Sequence, residues 1–176
     1  VPWLVQKHPD RALLLLTKRC HLYCRFCFRR DHKPSEALDP SPEELELAIQ
    51  TAIDSGAREI ILSGGDPLSL SNDQLAIILK RVRPHFKVIR FHTRAPISSP
   101  ERVDTALIEV LAQNAPLWLV VHCNHPNELD PDARRAVRKI RTAGISILNQ
   151  SVLLKGVNDD LETLIQLSES LVEMGV

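Results

Sequence analysis

Short apolar runs recur along the chain, and each is followed by a stretch whose apolar residues have helical spacing. The last four runs begin roughly 30 residues apart, a natural length for a strand followed by a helix. Nearly continuous apolar strands separated by helices predict a parallel sheet that is covered by helices. The predicted strands are residues 13–17, 59–63, 88–93, 118–122 and 145–151.

Capping residues define the ends of the predicted helices. Ser41 has the properties of an N-cap, with Pro42 at the first helical position and Glu44 at the third. Gly56 and Gly144 lie where a helix C-terminus needs a residue in the left-handed conformation. The predicted helices are residues 42–55, 72–82, 104–114, 131–143 and 159–174.

Polar side chains stand at or near the end of every predicted strand. Thr17 leads into a cysteine-rich segment, and Ser63 leads into Gly64-Gly65-Asp66. In parallel α/β barrels the carboxyl ends of the strands form the active face, so we expect these groups to share one rim. The other polar strand ends are Thr93-Arg94, His122 and Asn149-Gln150.

Five strand–helix units are too few to close a barrel, and the fifth strand would keep an unpaired edge. We therefore predict an α/β protein, a partial parallel (βα) barrel of about five units that is truncated before closure. The natural protein is expected to continue beyond Val176. The predicted domains are an N-terminal segment, residues 1–12, and the partial barrel, residues 13–176.

Composition excludes some classes of protein. The chain has 176 residues, of which 44% are hydrophobic, and its 22 Lys and Arg residues balance 22 Asp and Glu residues. This balance gives no indication of a nucleic-acid partner, and an apolar run such as residues 12–16 is too short to span a membrane. Four cysteines with no export signal indicate a reducing compartment. We expect a cytoplasmic protein with no nucleic-acid or membrane partner.

Three cysteines, Cys20, Cys24 and Cys27, lie within eight residues in the pattern C-x3-C-x2-C. Three close thiolates can hold three corners of a 4Fe–4S cluster and leave the fourth iron open to a ligand. The nearby Arg25, Arg29 and Arg30 are expected to lower the pKa values of these thiols. Cys123 is distant, and we interpret it as a buried thiol.

Structural zinc is the alternative interpretation of the cysteines. Zinc sites are normally closed by four ligands, and His21 or His32 could supply the fourth. Most zinc modules have a second pair of ligands, spaced as C-x2-C or H-x3-H, and this chain has no such pair. A disulfide would leave one thiol of the three unpaired.

Gly64-Gly65-Asp66 directly follows a predicted strand. Glycines allow the backbone to approach a ligand closely, and Asp66 and the loop carbonyls can accept hydrogen bonds from a cationic amino group. The alternative is a simple tight turn. His122 and Gln150 are likewise either structural residues or groups that face a cofactor.

The order of these motifs resembles the lysine 2,3-aminomutase family of radical S-adenosylmethionine (SAM) enzymes. The amino-acid sequences of the motifs are most similar to those of the aminomutase that makes β-lysine for modification of elongation factor P. The resemblance implies a partial (βα) barrel of the radical SAM type. The matching segments are residues 9–14, 20–30, 62–68, 93–96, 122–128 and 149–154.

The resemblance implies a cofactor set of a 4Fe–4S cluster, SAM and pyridoxal 5′-phosphate (PLP). A 5′-deoxyadenosyl radical from SAM would take a hydrogen atom from an amino acid, whose amino group then moves from carbon 2 to carbon 3. The expected substrate is L-lysine, with glutamate or another amino acid as the alternative. A zinc-stabilised α/β binding protein without catalysis is the alternative from another class. Implied partners are a one-electron donor such as flavodoxin or ferredoxin, and further copies of the chain in a homo-oligomer.

The resemblance also assigns residue roles. Arg29 matches the arginine that pairs with the substrate carboxylate, and Arg11 and Lys7 occupy places of PLP-phosphate ligands. The lysine that carries PLP is expected beyond Val176, so no residue of this chain is identified as catalytic. The cluster ligands would be Cys20, Cys24 and Cys27, and the SAM contacts would be Phe26, Gly64, Gly65, Asp66, His122 and Gln150.

Overall fold

The structure, a computed structural model, describes residues 1–29 and 37–176. These residues form two compact units, Val1–His92 and Thr93–Val176. Both units contain strands and helices. In the described part of the chain, no helix is both long enough and apolar enough to cross a membrane.

The first unit contains a sheet whose strands are adjacent in chain order. The strands are β1 (Leu4–His8), β2 (Arg11–Leu15), β3 (Glu59–Ser63) and β4 (Val88–Thr93). β1 pairs with β2 in the antiparallel sense, whereas β2 with β3 and β3 with β4 are parallel. The helices α1 (Pro42–Asp54) and α2 (Asn72–Val82) follow β2 and β3.

One face of this sheet forms the core of the first unit. Successive side chains in a strand point to opposite faces, and one set is completely buried. The other set is more exposed in β2, where Arg11, Leu13 and Leu15 alternate with it. The buried set is Ala12, Leu14, Ile60, Leu62, Ile89 and Phe91.

The cap predicted for α1 is confirmed, and α2 begins with a cap of the same kind. The Ser41 hydroxyl accepts a hydrogen bond from the backbone N–H of Glu44, whose carboxylate accepts one from the backbone N–H of Ser41 at 2.8 Å. Ser71 and Gln74 form the same reciprocal pair at the start of α2. Each capping box satisfies two backbone N–H groups that a helix start would otherwise leave without partners.

The second unit contains two parallel strands, β5 (Trp118–His122) and β6 (Ser146–Gln150), and their pairing ends at His122 opposite Gln150. Leu119 and Val121 are completely buried, as is Ile140 on the helix between the two strands. The helices of this unit are α3 (Ala95–Ser98), α4 (Thr105–Gln113), α5 (Pro131–Thr142) and α6 (Leu161–Glu173).

All five predicted strands and all five predicted helices are present, with ends within two residues of the prediction. β1 and the single helical turn α3 were not predicted from the sequence. β1 shows no buried alternation, because Leu4 is only partly buried and its other four residues are exposed. Its place comes from backbone pairing with β2. Residues 1–12 lie in the first unit.

Candidate functional site

The three clustered cysteines lie on the segment that follows β2 in the first unit. Each is partly buried and carries a free thiol. The segment turns at its end, where the backbone N–H of Cys27 donates to the carbonyl of Cys24 at 3.1 Å. Phe26 is partly buried in this turn. We call residues 20–29 the cysteine loop.

Asp39 anchors the chain just before the cysteine loop. The Thr17 hydroxyl donates to Asp39 Oδ1 at 2.6 Å, and Arg19 Nη2 lies 2.7 Å from Asp39 Oδ2. Burial acts to raise the pKa of Asp39, but the hydrogen bonds from Arg19 and Thr17 outweigh it and lower that pKa. The carboxylate therefore stays ionised near neutral pH and holds both residues.

Gly64 and Gly65 lie directly against the backbone of residues 17–19. Gly65 N–H donates to Thr17 O at 2.6 Å, and Asp66 N–H donates to Arg19 O at 2.7 Å. A Cβ atom on Gly64 would lie 2.2 Å from Thr17 O, and one on Gly65 would lie 2.1 Å from Arg19 O. Gly64 also has a φ of 139°, which favours glycine. The glycines are required because two backbone segments pack together here.

Asp66 has a structural partner in this loop. It is 4% exposed, and its Oδ1 accepts a hydrogen bond from the backbone N–H of Leu68 at 2.9 Å. This bond caps the short 3-10 turn Pro67–Ser69. The carboxylate thus shapes its own loop, and its contact with the SAM amino group stays a prediction.

Arg29 links the cysteine loop to residues 64–66, which we call the glycine loop. Its Nη1 donates to Gly64 O at 3.1 Å and to Ser63 Oγ at 3.4 Å, and its backbone N–H points to Cys27 Sγ at 3.4 Å. Its guanidinium carbon also lies 4.8 Å from the centre of the Phe28 ring. Burial lowers the pKa of Arg29, and Cys27 and Cys20 oppose this effect. An arginine remains charged nonetheless, so a cation lies where the two loops meet.

Arg29 acts on the Cys20 thiol in the expected direction, but the net shift of the Cys20 pKa is upward. Burial raises the pKa of Cys20 to about 12, and Asp66, Cys27 and Cys24 act in the same direction. Arg29 acts to lower this pKa but does not outweigh burial. Arg30 lies outside the described residues. A bound cation such as iron would favour the thiolate form of Cys20 and oppose this effect of burial.

The donor set of the cysteine loop suits an iron–sulfur cluster. Three free thiols lie within eight residues, and thiolates are the usual ligands of such clusters. Within residues 1–29 and 37–176, no three His, Cys, Asp or Glu side chains are already arranged to hold a metal ion. Of the candidate fourth ligands for zinc, His21 is exposed and His32 is outside the described residues.

Lys7 and Arg11 are in the first unit but at the opposite end of β2 from the cysteine loop. Arg11 Nε lies 3.8 Å from Glu59 Oε2, and Arg11 Nη2 lies 3.6 Å from Asp10 Oδ2. Glu59 also pairs with Arg90. Lys7 is exposed on β1. The proposed phosphate contacts of Arg11 and Lys7 stay predictions.

His122 and Gln150 are brought together in the second unit. Gln150 Nε2 lies 3.4 Å from His122 Nδ1, and Asn124 Oδ1 lies 3.1 Å from His122 Nε2. Burial, followed by the nearby Arg94 guanidinium, lowers the pKa of His122, while Asn124 and Glu128 act in the opposite direction. The imidazole is therefore neutral at pH 7. Gln150 is exposed.

Cys123 is completely buried, as predicted. Its thiol lies 3.5 Å from His125 O, and burial raises the pKa of Cys123 to about 12. The Asn149 side chain holds its backbone, accepting from Cys123 N–H at 2.9 Å and donating to Cys123 O at 3.0 Å. This role of Asn149 was missed, although its place at a polar strand end was a visible signal.

The chain belongs to the radical SAM superfamily, whose family model matches residues 14–168. Along its whole length it is 41% identical to the L-lysine 2,3-aminomutase of Escherichia coli and 39% identical to that of Acetoanaerobium sticklandii. It covers 52% and 43% of these two proteins, so it spans about half the length of the curated relatives it matches.

A solved structure shares the fold. The chain superposes on Streptococcus suis SuiB with a TM-score of 0.70 over 96% of its own length and 38% of that chain, at 19% identity. Family membership and the shared fold confirm the predicted α/β fold class of the radical SAM type. The family also implies a 4Fe–4S cluster and SAM as cofactors.

Proposed function

We propose that this chain is the cofactor-binding part of a radical SAM, PLP-dependent 2,3-aminomutase that converts L-lysine to β-lysine. The observation that carries the proposal is the direct packing of Gly64 and Gly65 against residues 17–19, which lead into the three free thiols. The identities of 41% and 39% to L-lysine 2,3-aminomutases support the substrate. Glutamate or another amino acid is the alternative substrate.

In this proposal Cys20, Cys24 and Cys27 hold the cluster, and Asp66 and the loop carbonyls receive the amino group of SAM. When bound, the cluster and SAM supply a 5′-deoxyadenosyl radical, and PLP holds the amino acid during migration of its amino group. Arg29 pairs with the substrate carboxylate, because a planar guanidinium matches a carboxylate. Phe26, His122 and Gln150 complete the SAM contacts.

The PLP phosphate is assigned to Arg11 and Lys7, two cations of the first unit. Arg11 would exchange its salt bridges with Glu59 and Asp10, which are 3.8 and 3.6 Å long, for the phosphate. The lysine that binds PLP is proposed to lie outside residues 1–176. The proposal also includes a one-electron donor such as flavodoxin or ferredoxin. It further includes a cytoplasmic location and a homo-oligomeric state.

Anaerobic reconstitution of the full-length protein tests the proposal. About four irons and four sulfides per chain are expected. Incubation with dithionite, SAM, PLP and either L-lysine or L-glutamate should then give the β-amino acid from lysine. One zinc per chain without iron would instead support a zinc-stabilised binding protein, and turnover of glutamate alone would change the substrate assignment.

Asp66→Asn is expected to weaken SAM binding about tenfold or more while the iron content stays unchanged. The amide oxygen can still accept from Leu68 N–H, which lies 2.9 Å away in the parent protein, so the 3-10 turn is retained. The negative charge opposite the SAM ammonium is lost, and hydrogen bonds to charged groups are the strong ones. Isothermal titration with SAM measures the effect.

The comparison with Asp66→Ala separates the two roles of this residue. Alanine removes both the cap and the charge, so it should also lower the melting temperature. If Asp66→Asn bound SAM like the parent protein while Asp66→Ala did not, Asp66 would act only as a cap.

Arg29→Lys is expected to raise KM for the amino acid by about tenfold to a hundredfold, with little change in iron content. Lysine can donate to Gly64 O in place of Arg29 Nη1, which is 3.1 Å away, but it cannot form a two-point contact with a carboxylate. Arg25→Lys, an exposed arginine in the same loop, is the matched control. Equal KM values in the two variants would remove Arg29 from the substrate site.

A further inference from the structure

Side-chain amides continue the contact between β5 and β6 beyond the point where backbone pairing ends. Asn158 is completely buried and donates to Asn124 O at 2.7 Å and to Val152 O at 2.9 Å. Asn124 itself is 2% exposed, and its Oδ1 accepts from the backbone N–H of Val152 at 2.8 Å. Asn124 therefore lies between the end of β5 and the segment after β6, next to His122.

The orientation of the Asn124 amide is fixed by its partner. A backbone N–H can only donate, so the atom that faces Val152 must be the amide oxygen. The same oxygen lies 3.1 Å from His122 Nε2. Because an oxygen with no hydrogen can only accept, Nε2 must carry the ring proton.

The state of His122 then determines the orientation of Gln150. In a neutral imidazole with a proton on Nε2, Nδ1 is an acceptor. Gln150 Nε2 is a donor and lies 3.4 Å from His122 Nδ1, so a donor faces an acceptor. This bond holds the Gln150 amide with its nitrogen toward the His122 ring and its oxygen away from the ring.

Replacing the amide by a carboxylate would change this state. Asn124 Nδ2 is buried and makes no hydrogen bond among the described residues, which is costly for a donor. An aspartate would avoid that cost, but its negative charge beside His122 would favour a second ring proton on Nδ1. That proton would face the Gln150 nitrogen. The asparagine supplies an acceptor without the charge.

We propose that Asn124 is a positioning residue that holds His122 as the neutral Nε2–H tautomer and, through His122, sets the orientation of Gln150. The identity of the ligand that this pair meets, SAM, rests on the proposed function. The tautomer does not, because it follows from contacts within the second unit alone. The charged groups that act on the pKa of His122 are Arg94 and Glu128, which form an ion pair.

The test measures the ring nitrogens of His122 by NMR in the full-length protein, labelled with 15N in histidine and free of SAM. A His122→Gln variant assigns the signals. The parent protein should show a protonated Nε2 and an unprotonated Nδ1 at pH 7. In Asn124→Ala both tautomers should be populated, and the Kd for SAM should rise about fivefold, as expected for one lost hydrogen bond.

Two variants provide matched controls. Asn158→Ala removes the bonds to Asn124 O and Val152 O but leaves the contact with His122, so it should destabilise the fold without changing the tautomer. Asn127→Ala, an exposed asparagine after β5, should change neither. Asn124→Asp keeps the acceptor and should raise the pKa of His122 in an NMR titration.

A parent protein with the proton on Nδ1, or an unchanged tautomer in Asn124→Ala, would overturn the proposal. If Asn124→Ala does not fold, the parent tautomer and the direction of the pKa change in Asn124→Asp decide. If the parent protein fails to bind SAM, the proposed function fails, but the tautomer measurements still decide the role of Asn124.

Discussion

Replacing Cys20, Cys24 or Cys27 by alanine in the full-length protein is expected to reduce bound iron from about four per chain to background and to abolish SAM cleavage. Each variant removes one of only three thiolates available in the cysteine loop. Two thiolates cannot hold three corners of a cluster. Iron and sulfide assays after anaerobic reconstitution, together with the absorbance of the cluster, measure this loss.

Cys123→Ala is the control for the cysteine variants. This thiol is completely buried in the second unit, so its removal costs packing and leaves the three cluster thiols intact. The iron content of Cys123→Ala should match that of the parent protein. Loss of iron in this variant alone would overturn the assignment of the cluster to residues 20–27.

Gly65→Ala is expected to reduce the iron content and to lower the free energy of unfolding by about 1–3 kcal/mol. The new methyl group would lie 2.1 Å from Arg19 O, a backbone atom that cannot rotate away. Either the glycine loop or residues 17–19 must move, and the hydrogen bond from Asp66 N–H to Arg19 O, 2.7 Å long, is then stretched or lost. Chemical denaturation and iron analysis of the same preparation measure both effects.

Gly56→Ala is the matched control for this substitution. Gly56 lies in the same unit, and no atom beyond its two chain neighbours would come within 4 Å of its Cβ, although its φ of 72° still carries a conformational cost. It should therefore destabilise the fold modestly and leave the iron content unchanged. Equal iron loss in the two variants would mean that general destabilisation, and not the loop contact, explains the result for Gly65→Ala.

The sequence predicted most of the fold because its elements are determined locally. The ends of α1 and α2 follow from Ser41, Ser71 and their reciprocal partners, and β3 to β6 follow from short apolar runs. β1 could not be found in this way, because its exposed residues carry no core pattern. It is stabilised by backbone pairing with β2, which no local pattern records.

The motifs of the candidate site could be recognised in the sequence, but their packing contacts and the direction of the Cys20 pKa shift could not. The cysteine spacing and the glycine pair indicated the chemistry, but the sequence did not show that the glycines pack against residues 17–19. The direction of the Cys20 pKa shift was also missed, because burial depends on long-range packing and here outweighs a nearby arginine. The role of Asn124 likewise depends on contacts across 28 residues of sequence.

The backbone bonds from Gly65 to Thr17 and from Asp66 to Arg19 make the two loops inseparable as a module for protein engineering. A cysteine motif transplanted into another α/β scaffold would lack the glycine loop, which contacts residues 17–19 just before Cys20. Residues 63–66 would have to be transferred together with residues 17–27 to keep this contact. The smallest segment set for such a transfer thus includes the ends of both β2 and β3, because neither motif alone keeps the contact between the two loops.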